Sequence, residues 1–191
     1  WISPTFCLPY KIEITRNDGT LDDITDYTTG ANFVDGATEI IGTFTVKVAN
    51  GNESYTGVWT GNETVKLYCD YDTSATTPRF RGIVEKVAYG NNQIILTGRS
   101  DALLIFGRTV TQTYPNADVP TGEVSLILKD LVTKYGDSKF TTTNVAASTT
   151  SKSFSWRQKA FWDCIKDLCN ASGYDCYIDV NRDFNFFLIG S

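Results

Sequence analysis

Carboxylates are the side chains of this sequence whose type and spacing could do chemistry. The candidates are Asp22, Asp23, Asp26 and Asp35 near the amino terminus, and the pair Glu85 and Asp101 further along. Two carboxyl groups across a cleft could act as acid and base in glycoside hydrolysis. Nothing in the spacing places two of them across a cleft. We therefore predict solvated loop carboxylates, and a carboxylate-based hydrolase is the weakest of the functions considered.

The other familiar catalytic and metal-binding residues are missing or badly spaced. The 191 residues include no histidine, which removes Ser-His-Asp and Cys-His catalysis and histidine-ligated zinc. Five cysteines at irregular spacing predict buried free thiols, with at most two disulfides. They are Cys7, Cys69, Cys164, Cys169 and Cys176. The last three lack zinc-knuckle spacing, so we predict no catalytic residue, no cofactor and no metal.

One segment near the carboxyl end has oxygens at alternate positions, as a calcium loop does. Asp179, Asn181, Asp183 and Asn185 supply these oxygens. A calcium loop needs glycine at its sixth position and a bidentate glutamate at its twelfth, and the sequence has Phe184 and Gly190 there. The segment is therefore predicted to be the turn of a hairpin.

Composition and charge restrict the possible partners. The net charge is −5 and the sequence pI about 4.7, with Lys and Arg scattered, which disfavours nucleic-acid binding. The longest apolar runs are far shorter than the roughly 20 residues that cross a bilayer, so a soluble chain is expected. Asn52, Asn62 and Asn170 begin N-glycan acceptor patterns, which matter only in a secreted eukaryotic protein.

Alternating apolar and polar residues in the first half predict short strands. The strands are expected at Tyr10–Thr15, Gly42–Asn50, Thr64–Tyr71, Phe80–Tyr89 and Ile94–Gly98. The last two form a hairpin around Gly90, Asn91 and Asn92. Short strands without a long helix indicate a small antiparallel barrel or sandwich. An open sheet would leave an edge able to pair with a neighbour, so a closed barrel or an edge-sharing oligomer is expected.

The second half has helical periodicity. Apolar positions predict a helix from Val124 to Tyr135, ended by Gly136 in a left-handed cap, and a second from about Arg157 to Ser172, ended by Gly173. A hairpin from Tyr174 to Ile189 follows. The polar stretch Thr109–Pro120 is read as a connector. The predicted domains are thus a split antiparallel β-barrel over 1–108 and a two-helix plus hairpin α+β domain over 109–191.

The order of these parts carries a resemblance to a known family. A hairpin reading FRGIVEKVAYGNNQIILTGRSDALLI is followed by SLILKDLVTKYG, FWDCIKDLCNASG and YDCYIDVNRDFNFFLIG. The F-x-G and T-G-R-S-x-A-L-L patterns and the element order resemble the amino-terminal half of the central hub proteins of tailed-phage baseplates and tail tips. These are the late-control-D type, related to the type VI secretion spike.

The resemblance implies a structural function without chemistry of its own. In that family the hub is a trimer whose barrels meet the end of the tail tube. The chain is thus expected to form a homotrimer or other ring, to join the tube to baseplate or tip proteins, and to reside in the virion tail after a soluble stage in the host cytoplasm. The sequence as given has no second barrel, so we expect either a fragment or a ring built differently.

Six residues are candidates for subunit contacts. Arg79, Arg81, Glu85 and Lys86 form the predicted outward row of the hairpin, while Val84, Val87, Ile94 and Leu96 fill its interior. Tyr55 and Trp59 are aromatic candidates for an interface. The alternative is a jelly-roll-like module that binds a carbohydrate or receptor through Trp59 and its neighbours.

Overall fold

A computed structural model gives the structure of the chain and describes residues 11–34, 41–69, 77–136 and 138–190. The chain divides into two compact units, Trp1–Asp101 and Ala102–Ser191. The domain boundary proposed after Arg108 stays a prediction. Cys7, Asp35 and Tyr71 lie outside the described residues. Within the described residues no helix is long and apolar enough to cross a membrane.

The first unit is a single antiparallel sheet of seven strands in the order β2-β1-β5-β6-β7-β4-β3. The strands are β1 (Lys11–Thr15), β2 (Leu21–Asp23), β3 (Thr28–Val34), β4 (Thr43–Ala49), β5 (Thr64–Tyr68), β6 (Phe80–Gly90) and β7 (Gln93–Ser100). The predicted hairpin, β6–β7, therefore lies at the centre of the sheet. It pairs with β5 on one side and with β4 on the other.

The length of one connection shows that this sheet curls. Its two edge strands, β2 and β3, are joined only by Ile24 and a 3₁₀ turn, Thr25–Tyr27. The five steps from Asp23 to Thr28 reach at most roughly 18 Å, whereas seven flat strands would separate the outer two by roughly 29 Å. The sheet therefore folds round on itself, and the predicted split barrel is confirmed.

A bulge in β6 explains how the hairpin fills the barrel. Val84 and Val87 are three residues apart and share the inner face only because the pairing with β7 slips between Val84 and Lys86. Glu85 and Lys86 both face outward as a result. Val84, Ile94 and Leu96 are fully buried, and Val87 packs against the same core, so the predicted interior is confirmed.

Two glycines let aromatic rings enter this core. A Cβ on Gly82 would lie 2.8 Å from the Phe80 ring and 2.9 Å from the Phe44 ring. A Cβ on Gly98 would lie 1.9 Å from the carbonyl oxygen of Ile83 and 2.8 Å from the Phe44 ring. The glycines of the F-x-G and T-G-R-S patterns therefore have a packing role.

The second unit combines helices with two small sheets. Its elements are α1 (Leu103–Phe106), β8 (Thr109–Tyr114), α2 (Val124–Tyr135), β9 (Phe154–Ala160), α3 (Phe161–Ser172), β10 (Tyr174–Ile178) and β11 (Phe184–Leu188). β8 pairs with β9, and β10 pairs with β11. The chain is thus mainly β with an α+β part, and the predicted fold class is confirmed, with α1 as an additional short helix.

Three details of the second unit differ from the sequence predictions. Residues 109–114 form β8 and are not an irregular connector, because their threonines and valine pair with β9. The second long helix begins at Phe161, since residues 157–160 belong to β9. Gly136 is extended (φ −70°, ψ 169°) and is not a left-handed cap, whereas Gly173 is left-handed (φ 75°), as expected.

Candidate functional site

The predicted outward row of the hairpin is joined by ion pairs. Arg99 on β7 makes two contacts with Glu85, at 2.7 and 2.5 Å, and these bonds lower the pKa of the Glu85 carboxyl. Arg81 Nε lies 2.9 Å from Asp101 Oδ2. The T-G-R-S-D run thus supplies a glycine that allows close packing, and the ion-pairing residues Arg99 and Asp101. Between these two, the Ser100 hydroxyl accepts a hydrogen bond from the Gly42 amide.

The remaining members of that row are exposed. Lys86 lies on the outer surface of β6. Arg79 is exposed too, and its Nε donates to the carbonyl oxygen of Cys69 at 3.3 Å. Arg81, Glu85 and Lys86 therefore lie on β6 and Arg79 comes directly before it, but the role of the row in an interface stays a prediction.

The two aromatic candidates are placed differently from each other. Trp59 is only 1% exposed, and its Nε1 donates to Asp22 Oδ2 at 3.1 Å. Tyr55 is half-buried and stacks on Trp59 at 4.8 Å, while Tyr27 packs edge-on against Tyr55. Trp59 is therefore a core residue, and its part in a subunit interface stays a prediction. A carbohydrate module would need its ring at the surface, so that alternative loses its central residue.

The amino-terminal carboxylates serve the structure of the strand turns. The Asp22 carboxylate accepts hydrogen bonds from Nε and an Nη of Arg16, at 2.6 and 2.7 Å. Asp23 accepts the backbone amide and hydroxyl of Thr25, and these bonds lower its pKa. Among the described residues, no group of three or more His, Cys, Asp or Glu could hold a metal.

The described cysteines are structural thiols. Cys164, Cys169 and Cys176 are free thiols, and Cys69, Cys164 and Cys176 are buried. Burial raises the pKa of Cys164 and of Cys169 to about 12, and that of Cys176 well above its usual value. Since the thiolate is the reactive form, these side chains are poor nucleophiles at neutral pH.

Asp183 has a role that the sequence did not reveal. Its buried carboxylate accepts the Thr141 hydroxyl at 2.8 Å and the amides of Thr143 and Asn144 at 2.8 and 3.0 Å. Asp179 Oδ1 accepts the Asn181 and Asp183 amides, which shapes the turn. The segment predicted as a hairpin turn is confirmed. The partners of Asp183 lie some 40 residues earlier in the chain, so no local sequence pattern indicates this role.

The edges of the seven-stranded sheet have the features of an interaction site. Three large apolar side chains are exposed there, namely Leu21 (56%) on β2, Tyr27 (48%) in the 3₁₀ turn and Val34 (52%) at the end of β3. Among the described residues, β3 pairs only with β4. Exposed backbone groups and apolar side chains together are typical of surfaces that meet other proteins.

No family model and no curated protein matches the sequence, but solved structures match its fold. A tail protein from Neisseria meningitidis MC58 aligns with a TM-score of 0.65, 11% identity, 93% of this chain and 50% of that chain. The prophage MuSo2 43 kDa tail protein from Shewanella oneidensis aligns with a TM-score of 0.62 and 10% identity, over 93% of this chain and 54% of that chain. Prophage tail protein gp18 from Listeria monocytogenes EGD-e aligns with a TM-score of 0.57 and 12% identity, over 92% of this chain and 50% of that chain.

The chain has the fold of these tail proteins. At 10 to 12% identity the likeness concerns the fold. It extends over both units, and the chain spans about half the length of the solved structures it matches.

Proposed function

We propose that this chain is a structural protein of a phage-type tail, a ring-forming hub or adaptor that joins the distal end of the tail tube to the baseplate or tip. The observation that carries the proposal is the shared fold, which covers 92 to 93% of the chain in three tail proteins. Fold alone does not determine function, so the position in the tail is inferred from the hub-like order of a split barrel followed by two helices and a hairpin.

The outer surface of the first unit suits a rigid structural role. Arg16–Asp22, Arg81–Asp101 and Arg99–Glu85 tie neighbouring strands or turns together at 2.5 to 2.9 Å. The planar guanidinium groups of Arg16 and Arg99 bind both oxygens of their carboxylate partners, which holds these two pairs in a fixed geometry. The expected partners are further copies of the chain, as a trimer or another ring, and the tube and tip proteins. The expected location is the virion tail, after a stage in the host cytoplasm.

Labelling of assembled particles tests this proposal. We expect gold-tagged antibody against the chain to bind at the distal end of the tail in electron micrographs of purified particles. Antibody against a head protein provides the control, because it should label the opposite end. Label on the head, or particles that are complete without this protein, would contradict the proposal.

The exposed row gives a finer test of the tube contact. Replacing Lys86 by Glu reverses a charge on the outer surface, and we expect fewer particles with attached tips if this row faces a partner. Lys166→Glu is the matched control, since Lys166 is exposed on α3 in the second unit. An equal effect of both changes would argue against an interface at the row.

A further inference from the structure

Within the part of the chain that the structure describes, β3 has a partner strand on one side only, and its other edge has little of the usual protection against pairing. It is seven residues long, and Thr28 to Val34 include no charged residue and no proline. Its register with β4 shifts only between Thr28 and Gly30, leaving five consecutive paired residues after that point. Natural edge strands that stay unpaired are usually short, charged, interrupted by proline or strongly bulged.

The opposite edge of the same sheet is protected. β2 has only three residues, and two of them are aspartates. Asp22 accepts hydrogen bonds from the side chains of Arg16 and Trp59, and Asp23 accepts one from the Thr25 amide. An incoming strand would find few backbone groups there and two carboxylates, so β3 is the edge that favours pairing.

Charge indicates where two copies of the chain could meet. Residues 1–101 include eight Lys or Arg and thirteen Asp or Glu, whereas residues 102–191 include nine of each. The net charge of −5 therefore lies on the first unit, and two copies repel each other at most of its surface. The β3 strand carries no charged side chain, so two first units can approach there with less electrostatic repulsion.

Apolar side chains lie at both ends of this edge. Tyr27 comes directly before β3 and Val34 ends it, and about half of each side chain is exposed. A strand laid along β3 would cover both. Asn32 also faces outward between them. Backbone pairing along the strand and apolar contacts at its ends are the two components of recognition by strand addition.

We propose that the edge of β3 that has no partner strand among the described residues pairs with an extended strand from a second copy of this chain. The proposal rests on the ring-forming function proposed above and names the surface through which the ring is built. Backbone hydrogen bonds along Thr28 to Val34 supply the contact, and Tyr27 and Val34 are covered at its ends.

Lysine substitutions test the edge in the full-length protein. Asn32→Lys and Val34→Lys each place a charge on an exposed side chain of β3, where it would be desolvated on pairing. We expect the dissociation constant for self-association, measured by analytical ultracentrifugation, to rise at least about tenfold. Asn91→Lys is the matched control, because Asn91 is exposed in the β6–β7 turn and away from both edges. Circular dichroism should show that all three variants are folded.

Amide hydrogen exchange gives an independent readout that needs no substitution. We expect the amides of residues 28–34 that point away from β4 to become more protected as protein concentration rises. Protection of these outward amides already in the monomer would mean that the chain covers its own edge, and would overturn the proposal. If assembly persists unchanged in both lysine variants, this proposal fails while the proposed ring stands. If the full-length protein never self-associates, both fail.

Discussion

In the first unit one seven-stranded sheet contains most of the described residues, whereas in the second unit two small sheets and the helices are accompanied by a long irregular segment that side chains hold. Residues 141–146 have no strand or helix of their own and lie beside β11 through isolated bridges and the bonds of Asp183. The first unit instead uses glycines so that strands and rings can pack closely. The comparison teaches that the central strands of the first unit depend on close backbone packing, whereas residues 141–146 of the second unit depend on a buried carboxylate. The irregular residues 50–63 of the first unit depend in the same way on Asn50 and the buried Glu63.

The largest effect is expected from filling the space at Gly98. In Gly98→Ala the new methyl would overlap the Ile83 carbonyl oxygen at 1.9 Å and press on the Phe44 ring. Because both neighbours belong to the central strands, we expect the first unit to lose roughly 3 kcal/mol or more of stability. Denaturant unfolding followed by hydrogen exchange of each unit measures the loss.

A second glycine serves as the control for that change. A Cβ on Gly51 would have no atom within 4 Å, so Gly51→Ala should change stability by less than about 1 kcal/mol. A similar loss in the two variants would show that close packing at Gly98 is not what holds the first unit.

The next largest effect is expected in the second unit, from Asp183→Ala. Removing the carboxylate leaves the Thr141 hydroxyl and the amides of Thr143 and Asn144 without their acceptor, which should cost about 3 kcal/mol. Hydrogen exchange at Thr143 and Asn144 should speed up before global unfolding. Asp163→Ala, at an exposed position of α3, is the control. Unchanged exchange at these two amides would contradict the proposed role of Asp183.

The two units should also differ in their response to pH. For Glu13, burial alone would raise the pKa, but hydrogen bonds from Lys11 and Tyr68 outweigh it, and Arg99 lowers the pKa of Glu85. Both pKa values are below the ordinary 4.5. Their stabilising effect is present above that pH and lost as pH falls further. The first unit should therefore be the more sensitive to acid.

Alkaline conditions should affect the second unit more. Burial raises the pKa of Cys164 and Cys169 from the ordinary 9.0 to about 12, so folding keeps these thiols neutral. That contribution is complete below pH 9 and is lost as pH rises toward 12. Methyl NMR signals of Ile14 and Ile127 can follow the two units separately. Simultaneous loss of both signals at either extreme of pH would count against the comparison.

The smallest effect is expected at the end of α3. Gly173 has φ 75°, but a Cβ there would meet no atom within 4 Å. Gly173→Ala should thus cost only the strain of the left-handed backbone, about 1 kcal/mol. Thermal unfolding measures it. A loss as large as that of Gly98→Ala would mean that backbone strain, and not steric overlap, dominates at these glycines.

The sequence was informative wherever a local pattern determines the structure. The alternation in β1, β4 and the β6–β7 hairpin and the helical spacing of α2 were sufficient to locate these elements. Periodicity did not reveal β3, because Gly30 and polar neighbours obscure the inward pair Ala31 and Phe33. It also misplaced the start of α3, since Phe154 to Ala160 pair with β8, far back in the chain.

The candidate site shows the same limit. The outward row of β6 and its inner valines follow from local pattern, and even the bulge is implicit in the spacing of Val84 and Val87. The hydrogen bond of Trp59 and the hydrogen bonds of the Asp183 carboxylate involve partners 37 and about 40 residues away. Contacts of that range come from tertiary folding, and no pattern in a single sequence records them.

Negative-stain electron microscopy of the purified full-length protein tests the central claim, that the chain builds a ring at the end of a tail tube, most directly. We predict cyclic assemblies with a central channel, in a single subunit number, that become more abundant as the concentration is raised. Particles that stay monomeric at every concentration would contradict it.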